Sequence, residues 1–409
     1  MNRLKTIFLW VLLAIIAFVV FGYFSVYRYP RLTLDPSPKA QQLTLASGTQ
    51  LAFKGAYLKR KGLADFRAFT PDVQLQIHSG EQSDSEIVLQ IENIHPQATL
   101  HIEGDSAQIQ ESSEGLLRKV SLKNIPPKTK VNLTWRFPEK PSYRFAAIGD
   151  TGGNKELSWG LIRAQQLGAD FVLHLGDAYY DSDEIGQVGA RMNQSSIPVY
   201  TANGNHDFRG PDGNSIQTFL QNVSPLNARF SLLGHCFLNV DTGAYMFPPN
   251  KGGRATLLAA EIKAQAQNPQ ACKDYIVFTH KPILSDFIAE FPQREHSLHG
   301  YDAKPLIKQL QALKNVTIIA GHIHQDFEFK QDGLRTIVTG SGLAQADLME
   351  GEYRAQILLG DIVADAFVKT QWARNKMPMA YHCSKKVARS ILEDAPEKAG
   401  VLEQVCLEN

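Results

Sequence analysis

The stretch FVLHLGDAYY, Phe171 to Tyr180, decides how this chain is read. A compact apolar run ends abruptly in Gly-Asp, and four other compact apolar runs each end in a polar or glycine-rich turn. They are FAAIGD (Phe145 to Asp150), IPVYTANGNHD (Ile197 to Asp207), YIVFTH (Tyr275 to His280) and VTIIAGHIH (Val316 to His324). Among these runs lie KELSWGLIRAQQLG, NSIQTFLQNV, TLLAAEIKAQAQN and DAKPLIKQLQALK, whose apolar residues recur at intervals of three and four and predict helices. Strand then helix, repeated, is the pattern of an α/β domain. Continuous rather than alternating apolar strands predict a sheet covered on both faces. LRTIVTGSG and RAQILLGDIVADAFVK predict further strands, part of a second sheet, and the domain runs from about 142 to 370.

Asp150, Asp177, Asn205, His206, His280, His322 and His324 all fall at or just beyond the end of such a strand. In an open α/β sheet those ends converge on one crevice. The set offers oxygen and imidazole donors without thiolate, which suits Fe, Zn or Mn. Two metals close together need a carboxylate able to bridge them, and Asp177 is the candidate. A water shared by such a pair loses its proton easily enough to act as a nucleophile near neutral pH. Glycines at 149, 152, 176, 204 and 321 leave room for the chain to bend beside a ligand.

Taken in order, GDTG (149–152), GDAYY (176–180), GNHD (204–207), FTH ending at His280, and GHIH (321–324) resemble the calcineurin-like metallophosphoesterases, and within them the purple acid phosphatase branch. The resemblance covers residues 143 to 370. It implies a metallophosphoesterase-type β-sandwich flanked by helices, with one metal held by Asp150, Asp177, Tyr180 and His324 and a second by Asp177, Asn205, His280 and His322. The wider superfamily has DxH in the first block, whereas Gly152 stands here where that histidine would be. Tyr180 is what the purple branch uses instead. Its phenolate favours Fe(III) and a charge-transfer colour, with Fe(II), Zn or Mn at the second position. Adjacent Tyr179 reads as a packing residue.

His206 is not needed by the metals and is assigned to the substrate, where it can hydrogen-bond a phosphoryl oxygen or protonate the leaving alkoxide. Asp207 either orients His206 or caps a turn. In FPQREHSLHG, Arg294, His296 and His299 are candidates for a substrate-facing loop, against a solvated loop as the plain reading. His174 reads as a core histidine, and GSG at 340–342 as a turn that could also border the cleft. The expected reaction is phosphomonoester hydrolysis by a metal-held hydroxide. A phosphodiesterase acting on nucleotides or lipid headgroups is the nearest alternative, and an inactive membrane-anchored interaction protein is the alternative from another class.

The surroundings are simpler. From about 31 to 141, short alternating runs such as VQLQIHSG, EIVLQIEN and KVNLTWRF predict a small antiparallel β-sandwich serving as a spacer, with His78, His95 and His101 in surface or turn roles. Between Lys5 and Arg28 lie 22 uncharged residues, as a helix about 33 Å long. They predict a membrane anchor over 1–30, with aromatics and arginines following it rather than a cleavage site. Charge does not fix its sidedness. The family resemblance and the spacer argue for a catalytic domain in the periplasm or outside the cell. Forty-two basic against 41 acidic residues give +1, which supplies no general attraction to nucleic acid. Four cysteines allow three complete pairings or free thiols, and residues 371–409 read as a partly helical tail.

Overall fold

The computed structural model describes residues 10, 12–19, 41–59, 64–81, 84–104, 108–180, 184–208, 215–243, 252–284, 297–299, 303–342, 355–364, 368–375, 383–394, 396 and 399–407. Most of the expected span over 1–30 lies outside them. Residues 12–19 form a helical stretch, α1, with exposed apolar side chains. Among the described residues no helix is long and apolar enough to cross a membrane.

Ten strands make up the first half: β1 (Gln41–Thr44), β2 (Gln50–Lys54), β3 (Ala56–Leu58), β4 (Asp65–Ala68), β5 (Val73–His78), β6 (Asp84–Glu92), β7 (Thr99–Gly104), β8 (Gln108–Glu114), β9 (Leu117–Ile125) and β10 (Lys130–Arg136). They form two sheets, ordered β1-β2-β5-β10-β7 and β3-β4-β6-β9-β8. Alternation in the sequence becomes alternation in space. Val73, Leu75 and Ile77 point into a core with Leu89, Val120 and Trp135 while Gln74 and Gln76 face out. His78 and His101 are exposed as expected. His95 is not: it is buried edge-on against Phe137, and burial pushes its pKa down to about 4.

The second half carries two sheets face to face. One is built from β11 (Ser142–Ile148), β12 (Phe171–His174), β13 (Val199–Thr201), β22 (Gln356–Val363) and β23 (Lys369–Arg374), in the order β13-β12-β11-β22-β23. The other is β14 (Ala228–Leu232), β15 (His235–Asn239), β16 (Tyr275–Thr279), β19 (Val316–Ala320), β20 (Asp326–Gln331) and β21 (Leu334–Thr339), in the order β14-β15-β16-β19-β21-β20. Phe145, Phe171 and Leu358 from the first meet Phe237, Phe278 and Ile319 from the second. Helices cover the outer faces: α2 (Lys155–Gln166), α3 (Ile185–Asn193) and α4 (Ser215–Asn222) on one, α5 (Gly252–Gln267) and α6 (Lys304–Gln311) on the other. Strands covered on both sides explain the continuous apolar runs. A short pair, β17 (Ile283–Leu284) and β18 (Leu298–His299), lies beside them. The final strand extends this domain to Arg374, four residues past the expected boundary at Thr370.

Two helices close the chain, α7 (Lys385–Asp394) and α8 (Ala399–Leu407), joined by Cys383–Cys406 and packed through Ile391 and Leu402 onto Trp159 of α2. The other disulfide, Cys236–Cys272, ties the start of β15 to the residues before β16. Of the pairings the sequence left open, the structure adopts this one.

Candidate metal centre

Leu175 donates its amide to Ile148, Asp150 to Gly176, Gly321 to His280 and Gly149 to Thr339, so the ends of both sheets are stitched into one edge. The GSG turn follows Thr339 and therefore does border the site. On this edge the ligand atoms of Asp150, Asp177, His280 and His322 all lie within 4.8 Å of one another.

Backbone conformation places them there. Asp150, Asp177 and His322 have φ of 59°, 50° and 70°. This left-handed region costs a side-chain-bearing residue about 1–3 kcal/mol, less for Asp and His than for bulkier types. Two glycines make room for the carboxylates. A Cβ on Gly204 would sit 2.0 Å from Asp177 Oδ1, and one on Gly321 would sit 2.7 Å from Asp150 Oδ2.

The donor set fits cations. His280 Nδ1 faces the Leu175 carbonyl at 2.9 Å, which can only accept. Burial drives the His280 pKa well down, so the ring is neutral with its proton on Nδ1. Nε2 is then a lone pair, yet it faces Asn205 Oδ1 at 2.9 Å, His322 Nδ1 at 3.0 Å and Asp177 Oδ1 at 3.5 Å. Oxygen and imidazole ligand atoms crowded around one lone pair in this way are the arrangement a bound cation relieves. Asp150 agrees: Oδ2 accepts from the His322 amide at 2.7 Å, while buried Oδ1 has no hydrogen-bond partner among the described residues. Burial and the adjacent Asp177 carboxylate push the Asp150 pKa well up. A divalent or trivalent cation would reverse that shift.

The remaining sequence candidates divide. His324 Nε2 lies 3.3 Å from the Tyr180 hydroxyl and 3.7 Å from Asp150 Oδ1, so both join the cluster's open side. The His206 amide donates to Asp177 Oδ1 at 2.9 Å, and its ring packs edge-on to Tyr180 at 4.5 Å with a quarter of the side chain exposed (25%). Its Nε2 is 3.9 Å from Asp177 Oδ2. Asp207, a catalytic candidate by sequence, is fully buried beneath the loops. Its carboxylate accepts from the amides of Asp177 (3.1 Å), Ala178 (3.0 Å) and Gly204 (2.6 Å). That makes it a positioning residue, whose own carboxyl burial pushes up to about 7. Tyr179 is a packing residue whose hydroxyl donates to the Asp207 carbonyl. His174 is a core histidine, bonded at Nε2 to Thr151 Oγ1 at 2.8 Å. His299 takes part in the β17–β18 pair through its backbone, opposite Leu284. Arg294 and His296 lie outside the described residues.

Sequence reading missed two supports. Glu184 accepts from the Tyr180 amide (2.9 Å), the Gly153 amide (3.1 Å) and the Asn154 side chain, and so holds the first and second motif loops together. It sits in an acidic run that reads as solvated surface. Asp241 follows β15 and accepts from Asn203 Nδ2 at 2.9 Å, one residue before Gly204. It ends an apolar run, FLNVD, just as Asp150 and Asp177 do, and that signal was available.

Residues 143–326 match the family model of the calcineurin-like phosphoesterases. No curated protein matches the chain in sequence. Among solved structures it is similar to GAP50, the anchor in the inner membrane complex of Plasmodium, at 16% identity over 58% of this chain and 86% of that one, with a TM-score of 0.42. It is also similar to purple acid phosphatase PPD1 from yellow lupin (Lupinus luteus) seeds, at 14% identity over 79% and 72% with a TM-score of 0.47. A dimetal phosphatase from Danio rerio is a third, at 14% identity over 58% and 98% with a TM-score of 0.40.

Proposed function

We propose that this chain is a two-metal phosphatase hydrolysing phosphomonoesters. The observation that carries the reading is the convergence of Asp150, Asp177, His280 and His322 within 4.8 Å inside the segment that matches the calcineurin-like phosphoesterases. Asp150, Asp177, Tyr180 and His324 would hold one cation, Fe(III) by the character of the phenolate donor. Asp177, Asn205, His280 and His322 would hold the second, Fe(II), Zn or Mn. Two such cations supply charge neutralisation for phosphoryl oxygens and a water of lowered pKa.

The chain's own residues do the rest. Neutral His280, locked by Leu175, presents its lone pair without a competing proton. His206, on the partly open side, is placed to hydrogen-bond a phosphoryl oxygen and to hold the proton needed by the leaving alkoxide. The apolar stretch near the N-terminus would tether the enzyme to a membrane, with the catalytic domain outside the cytoplasm. Two disulfides support an oxidising compartment. A reporter joined after residue 409 that is active only in the cytoplasm would contradict that placement.

Metal analysis and visible absorption of purified protein test the centre. About two metals per chain and a visible band that disappears in Tyr180→Phe are expected. Turnover of phosphomonoesters and none of matching diesters is the expected substrate profile; the reverse preference would replace it with a phosphodiesterase. Protein that binds no metal after reconstitution with Fe, Zn or Mn overturns the reading.

A further inference from the structure

The β-rich half reads by sequence as a spacer, but its contacts with the catalytic half are specific and buried. Among the described residues β13 is the outermost strand of its sheet, paired with β12 on one side. Its other side would present bare backbone groups, a position that usually needs covering. Asn93, just beyond β6, supplies the cover. Its Oδ1 accepts from the Val199 amide and its Nδ2 donates to the Val199 carbonyl, both at 2.9 Å. The same Nδ2 donates to the Ala68 carbonyl at 2.9 Å, so the side chain is anchored from behind. Asn93 is buried and has φ of 63°, a conformation Asn tolerates better than most residues.

What this edge carries gives the contact its meaning. Two residues beyond β13 begins Asn203-Gly204-Asn205-His206, which holds both the amide oxygen facing His280 and the histidine on the partly open side. Arg67 reinforces the grip. Its Nε donates to the Val223 carbonyl just after α4 at 3.2 Å, and its Nη1 donates to Asn193 at the end of α3. Thus the segment before the GNHD loop and the helix after it are both fastened to the β-sandwich.

We propose that Asn93 is a positioning residue for the metal centre: the β-sandwich braces the outer strand β13 and thereby fixes where Asn205 and His206 stand. The inference rests on the two-metal reading for its functional meaning but on the strand contact for its structure.

The test uses the full chain and Asn93→Gly, which keeps the positive φ without strain and removes only the amide. Hydrogen exchange of the peptide containing residues 203–206 is compared with metal titration by Zn(II) and Mn(II). Asn205→Ala identifies which of the two binding steps depends on Asn205. Bracing predicts faster exchange at 203–206 and a loss of about tenfold in that step alone, the scale typical for groups that orient a ligand. The step sensitive to Tyr180→Phe should be unchanged. Ile77→Val, which loosens the sandwich core without touching β13, should alter neither readout. Unchanged exchange in Asn93→Gly, or equal weakening of both steps, overturns the proposal. Should Asn93→Gly not fold, Asn93→Asp, which keeps the acceptor for the Val199 amide, is read the same way. A wild-type chain that binds no metal while Asn93→Gly still exchanges faster at 203–206 sinks the two-metal reading and leaves the brace standing.

Discussion

Asp177 stands at φ 50° with its carboxylate against Gly204, its amide on Asp207 and the His206 amide on its Oδ1. Strain and close packing at one residue mean that the smallest change should be costly. In Gly204→Ala the new Cβ would lie 2.0 Å from Oδ1 and 2.2 Å from the Asp177 nitrogen. The backbone cannot yield as a flexible side chain would. We expect a loss of about 1–3 kcal/mol in urea unfolding, together with less than full metal occupancy by elemental analysis. Wild-type occupancy in this variant would show that the loop has slack the geometry denies. His235 offers a separate test, away from the centre. Its Nδ1 lies 2.9 Å from Asp274 Oδ2 and its Nε2 2.9 Å from the Val363 carbonyl, so both nitrogens face acceptors. Burial disfavours the imidazolium, but Asp274 and Val363 outweigh it and raise the pKa above the usual 6.5. The stabilisation is therefore complete below 6.5 and is lost as pH rises through the raised value. Thermal melts should show wild type ahead of His235→Gln at pH 6 and the gap narrowing as the pH rises through the raised value; a gap independent of pH would mean His235 acts by packing alone.

At the scale of elements, strands and motif residues were the readable part. Apolar runs ending in Gly-Asp, Asn-His, Thr-His or Gly-His name β11, β12, β13, β16 and β19 and the donors at their ends, because close packing on both faces disfavours polar residues until the strand stops. The predicted helices at α2, α4, α5 and α6 follow from their apolar periodicity. Less was legible where partners lie far off in sequence. Arg67 bonds to Val223, 156 positions away, and in the sequence it is one more polar residue of a half-buried sheet. His95 is misread for the same reason. The hairpin β14–β15 crosses FSLLGHCFLNV, where a single glycine in a mostly apolar stretch is the one mark of the turn at Leu233-Gly234. Disulfide pairing was equally out of reach, since spacing leaves the choices equivalent until the fold brings Cys236 and Cys272 together. That bridge closes a sequence separation of 36 residues. Chain-entropy reasoning assigns such a loop about 4 kcal/mol. Cys236→Ser with Cys272→Ser should therefore melt well below wild type, and reductant should lower the wild-type Tm without further lowering that of a variant lacking all four cysteines. Equal melting of oxidised and reduced wild type would show the bridges to be absent in solution.

Across the whole molecule, the two halves share a buried ionic knot. Arg67 is fully buried on β4, 3.6 Å from Glu92 Oε2, and Lys59 bonds the other oxygen of that carboxylate at 2.5 Å. Burial alone would push the Glu92 pKa up, yet Arg67 and Lys59 hold it below its usual 4.5. The knot therefore contributes fully above about pH 4.5 and fades as pH falls beneath it. Because the same guanidinium reaches Val223 and Asn193 of the catalytic half, docking and ion pairing are one event. Arg67→Ala would leave the largely buried Glu92 carboxylate with Lys59 as its neighbouring cation and uncover two helix ends. Breaking a buried pair costs about 3–5 kcal/mol, and Lys59 should keep the loss near the lower figure. That loss falls on the junction, where the guanidinium reaches Val223, Asn193 and Met192 Sδ. Calorimetry at pH 7 should accordingly give one cooperative transition for wild type and two separated ones for Arg67→Ala. If the variant still melts in a single step at the wild-type temperature, the halves are joined by their apolar contacts and the buried arginine is dispensable.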